Sequence, residues 1–201
     1  PVAADSTTYG ARLKRLTEGI TDADGLPLNF KVYLVTDVNA FACGDGSIRV
    51  FAALMDLMDD DELMAIIGHE IGHVVHADTK HAMKNAYLAS AARNAAGAAE
   101  GSALARLSES QLGKVVAAFI DAQFSQKQEY EADEHGFEFC VKHGFDPYGM
   151  TNSLNKLVEL SKGAKASTVQ KMFSSHPDSE KRAARMKEKA DAYMAAQRQN
   201  R

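Results

Sequence analysis

The 201-residue chain is predicted to fold as a single α+β domain, mostly α, with a long helix packed on a second, acidic helix and a small antiparallel sheet beside them. Three observations carry that prediction. Apolar residues recur at helical spacing through most of the sequence, and period-two alternation is confined to residues 30–35 and 48–50. The length also suits one core that needs no covalent staples.

Leu13, Leu16 and Ile20 share one face of a first helix within Thr7–Thr21, and "TDADGLP" closes it with turn residues. "NFKVYLVT" puts Phe30, Val32 and Leu34 on one side of a strand and Tyr33 and Val35 on the other, so both faces should be partly covered. "SIRVFAAL" adds Ile48 and Val50, and the glycines of the intervening "CGDG" suit a reversal, hence the antiparallel expectation. Asp59, Asp60 and Asp61 then supply the capping oxygens and negative charge that favour a helix N-terminus. Leu63, Ile66, Ile67, Ile71 and Val74 form an apolar stripe on the helix that follows.

Residues 88–113 are rich in Ala, Gly and Ser, which suggests a loosely packed helix, loop and helix, with a mobile flap as the alternative. From Lys114, the residues Val116, Phe119, Ile120, Phe124, Phe137 and Val141 predict one long helix reaching "KHGFDP". Asp146 and Pro147 predict the N-cap and first residue of a helix through Leu160. A charged helix follows from about Asp178 to Gln197, and its mixed signs read as a solvated face instead of a membrane-binding one.

Composition removes some functions. A net charge of −4 and a pI near 6.0 leave no basic footprint, so no nucleic-acid partner is expected. No apolar run approaches the ~18 residues that read as a membrane span, and "PVAADSTTYGARLK" lacks the apolar stretch of a signal peptide. The chain opens on Pro1, which leaves room for an upstream signal or anchor. Cys43 and Cys140 fit neither a CxxC pair nor a regular framework. Two free buried thiols are expected, with one long-range disulfide as the alternative.

The chemistry is concentrated in "AIIGHEIGHVVHADTK", Ala65 to Lys80. His69 and His73 are four apart on one helix face with Cβ atoms ~6 Å apart, a span two imidazoles can close onto one zinc ion. Glu70, rotated 100° from His69, points beside the metal, where a carboxylate can take a proton from the attacking water. Chance alone would produce such an HExxH about once in seventy sequences of this composition. Gly68 and Gly72 each cost about 1 kcal/mol in a helix interior, a cost that close approach of a neighbouring element would explain.

A catalytic zinc site needs a third protein donor. His76 stands where the HExxHxxGxxH pattern has glycine, and Thr79 where it has the last histidine, so His76 is set aside as a polar residue near the helix end. In "SQKQEYEADEHG", Glu129 and Asp133 are four apart and share a face, so one can ligate while the other orients a ligand imidazole. By pattern alone Glu131 and Glu134 also compete. His81, His135 and His143 fit no motif and are expected at the surface or at helix ends.

"HEIGH" followed by "EYEAD" resembles the HExxH and ExxAD pair of the HtpX and CAAX-prenyl-protease family of zinc metallopeptidases, which are gluzincins. "VNAFACGDGSIRVFAALMDLM" and "FSSHPDSEKRAARM" are similar to that family's segments before the active-site helix and near the C-terminus. The likeness spans about Tyr9 to Met186 and is greatest to the small soluble bacterial envelope members. It implies His69, His73 and Glu129 as ligands of one zinc ion, Glu70 as general base and Asp133 as the partner of His69. It also implies His176 as donor to the oxyanion, Arg182 as the residue ordering the His176 segment, and Asn39 and Ala40 on an edge strand that flanks the active site and pairs with substrate. The implied activity is endopeptidase cleavage of extended or misfolded proteins, periplasmic or at the outer membrane. The alternative is a zinc-binding scaffold or chaperone-like protein with little proteolysis.

Overall fold

A computed structural model describes residues 1–95, 123–163 and 166–199. Among them the chain is mostly helical, as the sequence predicts, with two small sheets, one of two strands and one of three. The first helix, α1 (Thr8–Leu16), is capped by Thr7 and stops at Thr17, short of Ile20, because the chain turns through Gly19 at φ 81°. The turn residues after it form a two-stranded hairpin, β1 (Asp22–Ala23) and β2 (Leu26–Pro27).

The sheet corrects one expectation. Strand β3 (Asn29–Tyr33) does pair with β5 (Ser47–Phe51), but in parallel. The antiparallel partner of β5 is a short strand between them, β4 (Ala40–Ala42), and the order is β3-β5-β4. The "CGDG" reversal therefore joins β4 to β5. Gly46 sits there at φ 84°, and a Cβ on it would lie 2.0 Å from Pro27 O, so only glycine fits. Residues 1–3 run beside β3, where Ala3 N donates to Val32 O. The outer edge of β4 has no strand partner among the described residues.

After a short helix, α2 (Ala52–Leu57), the long helix α3 (Asp60–Val75) begins at the predicted place. Asp59 and Glu62 form a capping box, each side chain accepting from the other's backbone N–H at 2.9 Å. The expected stripe is the core: Leu63, Ile67 and Ile71 are buried against Leu13, Val32, Ile48 and Val50. His76 is the C-cap. Ala77, left-handed at φ 60°, then redirects the chain into α4 (Asp78–Ala95). The remainder of the Ala/Gly/Ser-rich segment, 96–113, lies outside the described residues.

The helix predicted from Lys114 to residue 143 is not continuous. Residues 114–122 lie outside the described part, and 123–125 are non-helical. Ser125 caps a new helix, α5 (Gln126–His143), so Phe124 belongs to the approach and not to the helical stripe. Helix α5 packs along α3. A Cβ on Gly68 would meet the Phe139 ring at 2.8 Å, and one on Gly72 would meet Ala132 Cα at 3.0 Å. The two glycines permit the close contact for which their helix cost was read.

Asp146 does not cap as predicted. Its side chain accepts from Tyr148 N at 2.8 Å in a turn, and α6 (Gly149–Lys162) starts two residues later than Pro147 would have it. Helix α7 (Ala166–Ser175) was not foreseen, and α8 (Ser179–Gln199) closes the chain. A second cluster of Phe137, Cys140, Met150, Leu154 and Met186 joins α5, α6 and α8. Both cysteines are free, Cys140 buried and Cys43 half-buried.

Candidate active site

Helix α3 delivers His69, Glu70 and His73 from its buried third turn, and the first turns of α5 deliver Glu129 and Asp133 to the same place. All five are 4% exposed or less, among the most buried polar groups in the molecule. Burying so many ionisable groups is unfavourable unless each is paired. The pairing is extensive.

His69 Nδ1 lies 2.9 Å from Asp133 Oδ1, and a carboxylate only accepts, so Nδ1 carries the proton and Nε2 is left free. His73 is held in the same way: Nδ1 donates to Asp78 Oδ2 at 3.0 Å. The two Nε2 atoms point at one another across 3.1 Å. Glu129 Oε1 stands 3.2 Å from His73 Nε2, and Glu129 Oε2 3.7 Å from His69 Nε2. His176, on the turn between α7 and α8, brings Nδ1 to 2.9 Å from Glu129 Oε1 and 3.3 Å from His69 Nε2. One donor atom from each of His69, His73, Glu129 and His176 falls within 4.8 Å of the others, a set that can hold a metal ion.

The chemistry of the set fits a divalent cation. Two imidazoles with their Nδ1 protons committed present lone pairs to each other, which is repulsive unless something positive lies between. Burial pushes the His73 imidazole down, yet the hydrogen bonds to Asp78 and Glu129 and the charges of Glu70 and Glu129 carry it up to about 9. A proton is thus drawn to the place a metal would take. His69 goes the other way, lowered by burial against the pull of Asp133 and Glu129. Burial raises the Glu129 carboxyl, but His176, His73 and His69 more than reverse this and hold it well below the usual range. Glu129 Oε2 nonetheless makes no hydrogen bond: Arg182 Nη1 approaches to 2.5 Å as an ion pair, off the hydrogen-bonding direction.

Glu70 Oε1 is buried without a hydrogen-bond partner, 3.6 Å from His176 Nε2. Arg182 forks onto Asp133, Nε to Oδ2 at 2.8 Å and Nη2 to Oδ1 at 2.7 Å, and its Nη1 reaches the carbonyls of His176 and Pro177. It thereby links the Asp133–His69 pair to the His176 turn. Asp178, left-handed at φ 62°, completes that turn and accepts from Gln126 at the head of α5. Asn39 is buried just before β4, its O accepting from Phe51 N at 3.0 Å, and Ala40 begins the strand. An apolar recess lined by Ile66, Met150, Leu154, Met172 and Phe173 opens beside His69 and His176.

The structure separates the competing acids. Glu134 pairs with Arg185 and Lys189, and Glu131 with Lys127, all away from the histidines. It also adds residues that sequence reading overlooked. Asp78 follows the left-handed Ala77, a turn that no local pattern announces. Phe124, read as part of a helical stripe, stacks on the His73 ring at 4.0 Å between centroids, 16° from parallel. Gln128 donates to Asp78 Oδ1 at 2.7 Å, and its pairing with Ser125 in S-x-x-Q was a legible signal. His135, expected at the surface or a helix end, is half-buried within α5. Its Nδ1 donates to Gly68 O at 2.7 Å, pinning α5 to α3.

Fold and site together define a metalloprotease. A model of peptidase family M48 matches residues 9–190, and the chain belongs to that family. It is 39% identical over 192 residues to metalloprotease LoiP of Escherichia coli (strain K12), covering 95% of this chain and 74% of that protein. It is also 39% identical over 189 residues to metalloprotease YcaL of the same organism, covering 94% and 72%. The beta-barrel assembly-enhancing protease of Yersinia pestis is more distant, 31% identical over 180 residues, covering 85% of this chain and 35% of that protein.

Proposed function

We propose that the protein is a zinc endopeptidase that cleaves extended or misfolded polypeptides in the cell envelope as part of protein quality control. The carrying observation is the convergence of His69, His73 and Glu129 with Glu70 beside them, and a β4 edge, without a partner among the described residues, packed along the same helix. One zinc ion is the default for two imidazoles and a carboxylate. When bound, it would polarise a peptide carbonyl and make water more acidic. Glu70, whose Oε1 is otherwise unengaged, takes the proton of the attacking water and returns it to the leaving amine. Asp133 and Asp78 fix the imidazole tautomers. His176 donates to the oxygen that gains charge, and Arg182 holds the turn that carries it. Asn39 and Ala40 place the substrate backbone along β4, where main-chain hydrogen bonds tolerate many sequences. Described residues include no helix long and apolar enough to cross a membrane, which suits a water-accessible substrate.

A second reading rests on His176. With its other tautomer it would be a fourth donor, and a closed set of four is what structural zinc sites use. The protein would then be a zinc-binding scaffold. Glu70→Gln decides between them: it is expected to keep stoichiometric zinc while casein or peptide cleavage falls about 10²–10⁴-fold. Equal cleavage by both proteins would refute the role of Glu70, and no cleavage by the wild type would favour the scaffold.

A further inference from the structure

The start of α5 serves two ends. Gln128 Oε1 accepts from Ser125 N at 2.9 Å, and Ser125 Oγ accepts from Gln128 N at 3.3 Å, completing a capping box. A capping box uses only the oxygen end of the third residue, and glutamate fills that position as well as glutamine. Here the nitrogen end is engaged too. Gln128 Nε2 donates to Asp78 Oδ1, and Asp78 Oδ2 accepts from His73 Nδ1. Asp78 is 6% exposed, and among the described residues that amide is the hydrogen-bond donor to its Oδ1.

We propose that Gln128 is a positioning residue for His73. Its amide locks the Asp78 carboxylate, and that carboxylate sets the tautomer and ring plane of His73, so that Nε2 faces Glu129 Oε1 at 3.2 Å. Gln128 immediately precedes Glu129, so one helix start supplies a ligand and orients a ligand on the other helix. The inference rests on His73 and Glu129 holding the metal. It explains why an amide stands where the cap alone accepts a carboxylate, since only an amide can both accept from Ser125 and donate to Asp78.

Gln128→Glu separates the two roles, because it keeps the cap and replaces the donor to Asp78 with an acceptor that repels it. The measurements are the zinc dissociation constant by chelator competition, the visible spectrum of the cobalt-substituted protein, and thermal unfolding of the metal-stripped protein. Q128E sets a carboxylate against the buried Asp78, so it is expected to unfold, metal-free, a few degrees below wild type, to bind zinc about tenfold more weakly, and to shift the cobalt spectrum. Gln128→Ala loses both ends, so it should lose the same affinity and also unfold earlier. The proposal is overturned if Q128E binds zinc within about twofold of wild type with an unchanged cobalt spectrum, or if only Q128A weakens binding. A wild type that binds no zinc would sink this inference together with the proposed function, whereas a zinc-loaded wild type matched by Q128E sinks this inference alone.

Discussion

His73 is fully enclosed, with Asp78 at its Nδ1, Glu129 at its Nε2 and Phe124 over its face. The sequence announces the residue but not its surroundings. Spacing alone selects His69, Glu70 and His73, and it narrows the third donor to a short acidic run. Which acid of that run enters the site was not decided by spacing, because four carboxylates within six positions satisfy the pattern. Burial decided it: Glu129 and Asp133 are fully enclosed, while Glu131 and Glu134 pair with basic side chains nearer the surface. Cys140 illustrates the same rule for a thiol. Burial first, and the nearby Asp61 and Asp146 charges next, push it up to about 12. Its protonated form is therefore favoured by folding. That preference costs nothing below the ordinary thiol range near 9 and is lost as stability as pH rises from there towards 12. Thiol titration should accordingly find two reactive groups in denaturant at pH 8, with Cys140 silent in the native protein. Rapid native labelling of Cys140 would contradict its burial.

At the scale of elements, the site is the seam between α3 and α5. Gly68, Gly72 and Gly136 line that seam, and a Cβ on Gly136 would meet Ala65 O at 2.9 Å. Helix propensity and packing make opposite predictions here. Alanine at position 72 should gain about 1 kcal/mol of helix stability, but its Cβ would press on the Ala132 backbone and His135 Cβ. Overpacking of that kind costs about 1–3 kcal/mol, and backbone cannot yield as a flexible side chain can. Gly72→Ala is thus expected to lower stability in urea unfolding and to weaken metal retention. A more stable variant would show that the seam is looser than its distances indicate. The sequence anticipated the need for close approach from the glycine spacing, but not the break at Ser125 or the parallel pairing of β3 with β5. The break at Ser125 was legible in the S-x-x-Q capping pattern, whereas the parallel pairing escaped because local periodicity reports which residues face a core and not where the chain crosses before it returns.

For the whole molecule, metal binding should be a large share of stability, because ligands from two helices, His69 and His73 on one and Glu129 on the other, meet only in the folded state. A metal present at a thousandfold its dissociation constant would stabilise the fold by about 4 kcal/mol. Chelation is expected to lower the unfolding temperature and re-addition of zinc to restore it. An unfolding temperature indifferent to chelator would mean that His69, His73 and Glu129 do not hold a metal. The sequence by itself determined the class of fold, through periodicity along the whole chain, and the helix carrying two candidate ligands and a base with the chemistry they imply, through spacing along a single helix. The tertiary structure adds that α5 sets Glu129 against that helix, that Asp78 and Gln128 lie behind His73, and that β4 has no outer partner among the described residues. Those contacts join residues far apart in the chain through turns such as Ala77 and Asp178, whose left-handed backbone no side-chain pattern foretells.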